Sequence, residues 1–129
     1  MDVILTNMCL IADKEGRILV QNREKKDWPG LTFPGGHVQE GESSLASVIR
    51  EIREETGLTL NKVVPVGYYE WLGAKREVSL LYYCDDYAGT LVSSSEGTVF
   101  FLRPEDLSRY AWSADFDAIL NVYAAFFHR

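Results

Sequence analysis

The sequence predicts an α/β or α+β sandwich in which a mixed β-sheet lies between helices. Three observations carry that expectation. Several strand-like runs are adjacent in sequence, two segments repeat their apolar residues at helical spacing, and the composition suits one ordinary core. The chain has 129 residues, enough for a single domain over 1–129 that buries roughly two thirds of its unfolded surface. With 47% hydrophobic and 25% charged residues, it matches neither a disordered, a collagen-like nor a coiled-coil chain.

The first element is the run from Val3 to Ala12, too rich in β-branched and apolar residues for a surface loop. Lys14-Glu15-Gly16 then supplies a turn, and Arg17 to Gln21 returns as a second strand. The polar stretch from Asn22 to Gly30 ends in Pro29-Gly30 and reads as a mobile loop before a short strand, Leu31-Thr32-Phe33. Between Ser43 and Thr56, Leu45, Val48, Ile49 and Ile52 recur at three- and four-residue steps, the buried stripe of an amphipathic helix that stops at Gly57. Strands follow at Lys62 to Trp71 and Val78 to Cys84, with weaker signals at Thr90 to Val92 and Thr98 to Leu102. Pro104 opens a short helix, and Ala114 to Phe127 again has helical spacing.

Net charge is −6 and the isoelectric point about 4.9. That balance argues against a duplex nucleic-acid partner held by a broad basic face. An acidic protein that handles phosphates needs divalent cations as intermediaries. Cys9 and Cys84 lie in apolar runs without metal-ligand spacing and read as reduced, buried thiols. The N-terminus has neither the basic region nor the long apolar stretch of a leader, so no membrane association and a cytoplasmic location are expected.

The chemistry concentrates in GGHVQEGESSLASVIREIREETGL, where a glycine-rich turn feeds a helix ending in Arg50, Glu51, Arg53, Glu54 and Glu55. Residues three or four apart are neighbours on a helix, so Glu51, Glu54 and Glu55 form one carboxylate face. Like charges at that spacing disfavour the helix and call for a compensating cation. Oxygen ligands alone suit Mg²⁺, with Mn²⁺ as a substitute, and an open cluster leaves room for waters and phosphate oxygens. Such a site supports displacement at phosphorus by an activated water. By spacing alone, the same run also fits a solvated face laced by weak ion pairs.

The ordered pattern decides between these readings. Gly36, Glu42, Arg50-Glu51, Ile52, Glu54-Glu55, Gly57 and Leu58 occupy nine specified positions within twenty-three residues. This resembles the Nudix box, without departure, over about a fifth of the chain. The resemblance implies a Nudix α/β/α sandwich, with metal ligands at Glu51, Glu54, Glu55 and the backbone carbonyl of Gly35. It also implies that Arg50 orients the glutamates, and that Glu42 organises the loop and assists in water activation. A charge near a helix N-terminus is the other reading of Glu42. Glu96, in a loop outside the box, matches the placement of a further ligand or base and equally that of an ordinary surface residue.

Outside the box the chain is similar to the MutT-like branch, through Trp28-Pro29-Gly30-Leu31-Thr32-Phe33-Pro34-Gly35-Gly36. That likeness implies a small-molecule nucleotide substrate, an oxidised purine such as 8-oxo-dGTP, cleaved to monophosphate and pyrophosphate by a monomer or homodimer. Arg23 is then placed for a substrate phosphate, or is a solvated loop arginine. Asn7, Trp112, Asp115 and Tyr69 or Trp71 are candidates for reading the base, each with a core, cap or surface alternative. A nucleoside diphosphate sugar, a dinucleoside polyphosphate or a capped RNA end fits the same chemistry. A nucleotide-binding sensor without catalysis is the alternative of another class, but its expected sign, a broken glutamate set, is absent.

Overall fold

A computed structural model describes residues 2–23, 30–113 and 115–128. The central sheet is mixed, in the order β4-β1-β6-β5, formed by β1 (Val3–Ile11), β4 (Gly35–His37), β5 (Leu58–Leu72) and β6 (Arg76–Gly89). β1 and β6 run parallel, with antiparallel neighbours outside them. A second, antiparallel sheet orders β3 (Gly30–Thr32), β2 (Ile18–Arg23) and β7 (Thr98–Leu102) as β3-β2-β7. The strands are thus shared between two sheets, where the sequence suggests one. The helices are α1 (Ser44–Thr56) and α2 (Phe116–Phe127), with a 3₁₀ turn at Pro104–Arg109.

The dense apolar run of β1 is explained by its central place, covered on both faces. Successive strand residues point to opposite sides. Cys9 and Ile11 accordingly join Val48 and Ile52 of α1, while Met8 and Leu10 join Ile119 and Tyr123 of α2. The Tyr123 hydroxyl donates to the Tyr82 carbonyl at 2.7 Å, tying α2 to the sheet. This is the sandwich that the sequence predicts, with a helix on each face of the mixed sheet. Both cysteines are buried free thiols.

Several details differ from expectation. Leu45 is exposed; in that first turn the packing falls to Ser44, whose hydroxyl accepts from Tyr82. Thr90 to Val92 is not a strand. β6 ends at Gly89, and Val92 instead donates its N–H to Thr56 at the end of α1. β5 starts at Leu58, four residues before the predicted strand. β4, two glycines and a histidine, has no side-chain signature of a strand at all. Of the loop read from Asn22 to Gly30, residues 24–29, with Trp28 and Pro29, lie outside the described residues.

The ends of α1 fix its position over the sheet. Ser43 caps the N-terminus by accepting from the Ala46 N–H at 3.0 Å. Gly57 ends the helix in the left-handed conformation, φ 79°, with its N–H on the Arg53 carbonyl. A β-carbon on Gly57 would sit 2.5 Å from the Thr90 carbonyl oxygen. Gly57→Ala should therefore lower stability by about 2 kcal/mol or more, from left-handed strain plus the clash. Urea denaturation measures this, and a loss below about 0.5 kcal/mol would show the turn to be pliable.

Candidate active site

The site begins where β4 meets β1, with Asn7 opposite Gly36 and Met8 opposite Gly35. Asn7 is buried and fully committed: Nδ2 donates to Ser47 Oγ at 2.9 Å, and Oδ1 accepts the Gly36 N–H at 3.2 Å. Asn7 points to the α1 side of β1, as the alternation with Met8 requires. Asn7, expected as a base-reading candidate, fastens the glycine strand to α1 through these bonds. Ser47, overlooked in the sequence, completes the link by donating to the His37 carbonyl at 3.3 Å. A serine among apolar residues on a helix's inner face was the available signal.

α1 lies close to the glycines. The Gly35 N–H donates to Glu55 Oε2 at 3.1 Å, and a β-carbon on Gly36 would fall 2.5 Å from the Glu51 carboxyl carbon. Arg50 gathers the remaining acids. Its Nε and Nη2 grip both oxygens of Glu42, at 2.8 and 3.0 Å. Its Nη1 lies 3.1 Å from both Glu51 Oε1 and Glu54 Oε2. Glu42 Oε1 also accepts the Gln39 N–H. The guanidinium and that N–H together pull the Glu42 carboxyl down to about 2.

Glu55 is the opposite case. Burial pushes its carboxyl up to about 8, helped by the charge of Glu51 and, further down, Glu96. Burial likewise raises Glu51, against the pull of Arg50. Gln21 of β2 lies beside Glu55 and favours its ionised form. Glu96 is exposed in the turn closed by Ser94 and Gly97, within electrostatic reach of both Glu51 and Glu55. Glu51, Glu54, Glu55 and Glu96 are therefore one acidic neighbourhood. Among the described residues, no three acid, histidine or cysteine side chains already converge as a metal cage. The donor chemistry nonetheless fits a divalent cation: all-oxygen, open, and with a buried carboxylate that neighbouring acids keep from ionising.

The other expected contacts lie on the α2 side. Trp112 stacks on Phe116, centroids 3.8 Å apart, and meets Phe33 edge-on. Its Nε1 is already bonded to the Leu107 carbonyl. With Met8, Leu31, Thr32, Phe33 and Ile119, the two rings line a small apolar pocket one short step along the chain from Gly35. Asp115 stands at the N-cap position of α2 but makes no capping bond there. It accepts the Tyr69 hydroxyl at 2.8 Å instead, and Tyr69 packs edge-on against Trp71. Arg23 ends β2, opposite Gly30, where the chain enters residues 24–29.

A family model, the NUDIX domain, matches residues 5–121. The chain belongs to the NUDIX family. Among curated relatives of this NUDIX chain, Isopentenyl-diphosphate Delta-isomerase of Citrobacter koseri is 28% identical over 91% of the chain and 65% of the relative. CTP pyrophosphohydrolase of Escherichia coli is 29% identical over 78% and 76%. Putative 8-oxo-dGTP diphosphatase YtkD of Bacillus subtilis is 33% identical over 73% and 61%. The chain thus spans less than two thirds of the first and third of these. In fold, it is similar to the E. coli ORF135 protein, with TM-score 0.83 and 24% identity over 97% of this chain and 91% of that one. The MutT structure from a study of Aliivibrio salmonicida and Vibrio cholerae gives 0.83 and 20% over 97% and 100%. No helix among the described residues is long and apolar enough to cross a membrane.

The raised Glu55 carboxyl has a measurable sign. Above pH 4.5 an unfolded Glu55 ionises, whereas the folded one keeps its proton until about 8. The native state then binds more protons, so metal-free stability falls as pH rises through that window. Glu55→Gln, neutral in both states, should flatten the fall. Melting temperatures in chelator from pH 5 to 8 test this, and equal slopes for the two proteins would refute it.

Proposed function

We propose that this chain is a Mg²⁺-dependent pyrophosphohydrolase acting on a nucleoside triphosphate, with an oxidised purine nucleotide such as 8-oxo-dGTP as its substrate. The supporting observation is the unbroken set of glutamates, Glu51 and Glu55 seated against the Gly35–Gly36 strand and Glu54 beside them, with Arg50 spanning Glu42, Glu51 and Glu54. The carboxylates and the Gly35 carbonyl would hold the cation, with Mn²⁺ as a substitute. When bound, the metal would neutralise the pyrophosphate and lower the pKa of water.

The chain's own groups divide the remaining work. Glu42, held ionised near 2 by Arg50, is a weak proton acceptor at neutral pH and acts by anchoring Arg50. Glu51 and Glu96 are then the better candidates for taking a proton from the attacking water. Arg50 holds Glu51 and Glu54 in place with one nitrogen. Arg23 is assigned to a substrate phosphate, and the pocket beside Trp112, with Asp115 fixed by Tyr69, to the base. Two buried thiols fit a cytoplasmic setting. The names of the relatives point the same way as far as the diphosphate group, and they differ beyond it.

Hydrolysis assays with Mg²⁺ should show turnover of 8-oxo-dGTP to monophosphate and pyrophosphate ahead of CTP, the ordinary deoxynucleotides and ADP-ribose. Preference for another phosphoanhydride would keep the mechanism and discard the purine assignment. Isomerisation of isopentenyl diphosphate without any hydrolysis would discard both. Glu54→Gln should reduce turnover at least ~100-fold at unchanged melting temperature, and near-native turnover would remove Glu54 from the site.

A further inference from the structure

Gln21 is an unusual residue for the place it occupies. It lies on β2 between Val99 and Thr32, in register with both, and is only 3% exposed. Burying an amide is unfavourable unless its donors and acceptor are satisfied. Yet Gln21 Nε2 has no hydrogen-bond partner. Its Cγ lies 3.4 Å from where a β-carbon on Gly97 would stand, so the side chain is confined beside the turn that carries Glu96. The Gln21 side chain reaches that of Glu55, which is also buried, with Oε2 committed to the Gly35 N–H. The amide is close enough to favour the Glu55 carboxylate, but not at hydrogen-bonding geometry.

We infer that Gln21 is a positioning residue for Glu55, its unpartnered amide nitrogen being the donor that holds the free Glu55 oxygen once the carboxylate takes up a divalent cation. An amide hydrogen bond to a ligating carboxylate fixes its orientation and restrains it from rotating off the metal. In the structure that bond is incomplete, which leaves the amide nitrogen as a local defect. Function and metal-free stability thus pull in opposite directions at this one residue. An apolar residue of similar length would remove the buried, unsatisfied donor, a change that is neutral or stabilising in itself. The same change would leave Glu55 with a single fixed oxygen.

This inference rests on the proposed metal site, and the experiment separates the two. Mn²⁺ alone, without substrate, is titrated into wild type and Gln21→Met and followed by the loss of the free-ion paramagnetic signal. The metal-free melting temperature is recorded in parallel. The expected result is Mn²⁺ affinity reduced about 10-fold or more in the variant, with a metal-free melting temperature equal to wild type or higher. Gln21→Leu serves as the second apolar variant and should behave in the same way. Mn²⁺ affinity within about twofold of wild type overturns the inference. So does a loss of affinity that merely follows a lower metal-free melting temperature in both variants, since that marks a structural role. Failure of the wild type itself to bind Mn²⁺ would overturn the metal site, and the role of Gln21 with it.

Discussion

Glu55 accepts the Gly35 N–H while the Glu51 carboxylate lies where a β-carbon of Gly36 would be. These two contacts require α1 to approach β4 more closely than side chains allow, and much of the structure can be read as the means of enforcing that approach. Val48 and Ile52 pull the helix onto the sheet from below. Asn7 and Ser47 stitch the glycine strand to β1 and to the helix at once. Ser43 and Gly57 fix where the helix begins and ends. Burial of apolar side chains is nondirectional, so it can hold α1 against the sheet but cannot set its register along β4. The buried Asn7 amide can, because each of its hydrogen bonds fits only one alignment.

Such proximity gathers like charge. Four carboxylates at or near one end of α1 would repel one another, and the chain answers with a single guanidinium. Arg50 uses its planar fork to clasp Glu42 and its remaining nitrogen to bridge Glu51 and Glu54. A lysine could neutralise one of these acids but could not span three. Glu55 lies beyond this network and is buried; burial, helped by the charge of Glu51, drives its carboxyl upward, while Arg50 drives that of Glu42 down. The two extremes follow from one arrangement: the guanidinium supplied by the chain serves the outer acids, and the inner acid is buried beyond its reach.

The acidic side of the site was legible in the sequence because it is local. Glu42, Arg50, Glu51, Glu54 and Glu55 lie on one helix and its approach, where spacing translates directly into a shared face. The cover of β1 on both sides was legible for a similar reason, as a continuous apolar run. What remained hidden depends on pairing between distant segments. β4 is invisible because glycine has no side chain to alternate. The link from Asn7 to Gly36 depends on the register of β1 against β4, and a one-residue shift would turn that side chain to the other face. The bond from Tyr69 to Asp115 joins residues on β5 and at the start of α2, and no periodicity in either element announces it.

The two halves of the site therefore answer to different constraints. Across the acidic half, charge and backbone geometry leave little freedom: a β-carbon at Gly36 or a shorter side chain at Arg50 breaks contacts that the whole cluster shares. The apolar half is assembled from β1, β3 and α2 by packing of Met8, Phe33, Trp112, Phe116 and Ile119, and volume-conserving changes in such packing are tolerated. Packing can accordingly be altered in the second half without touching the first. The Trp112 ring, with its nitrogen bonded to Leu107 and one face against Phe116, is already spent on holding that half together. Thr32 is the one polar residue in the lining of that pocket. Under the proposed function, that division would let one helix serve a diphosphate group while the group attached to it is chosen elsewhere in the fold.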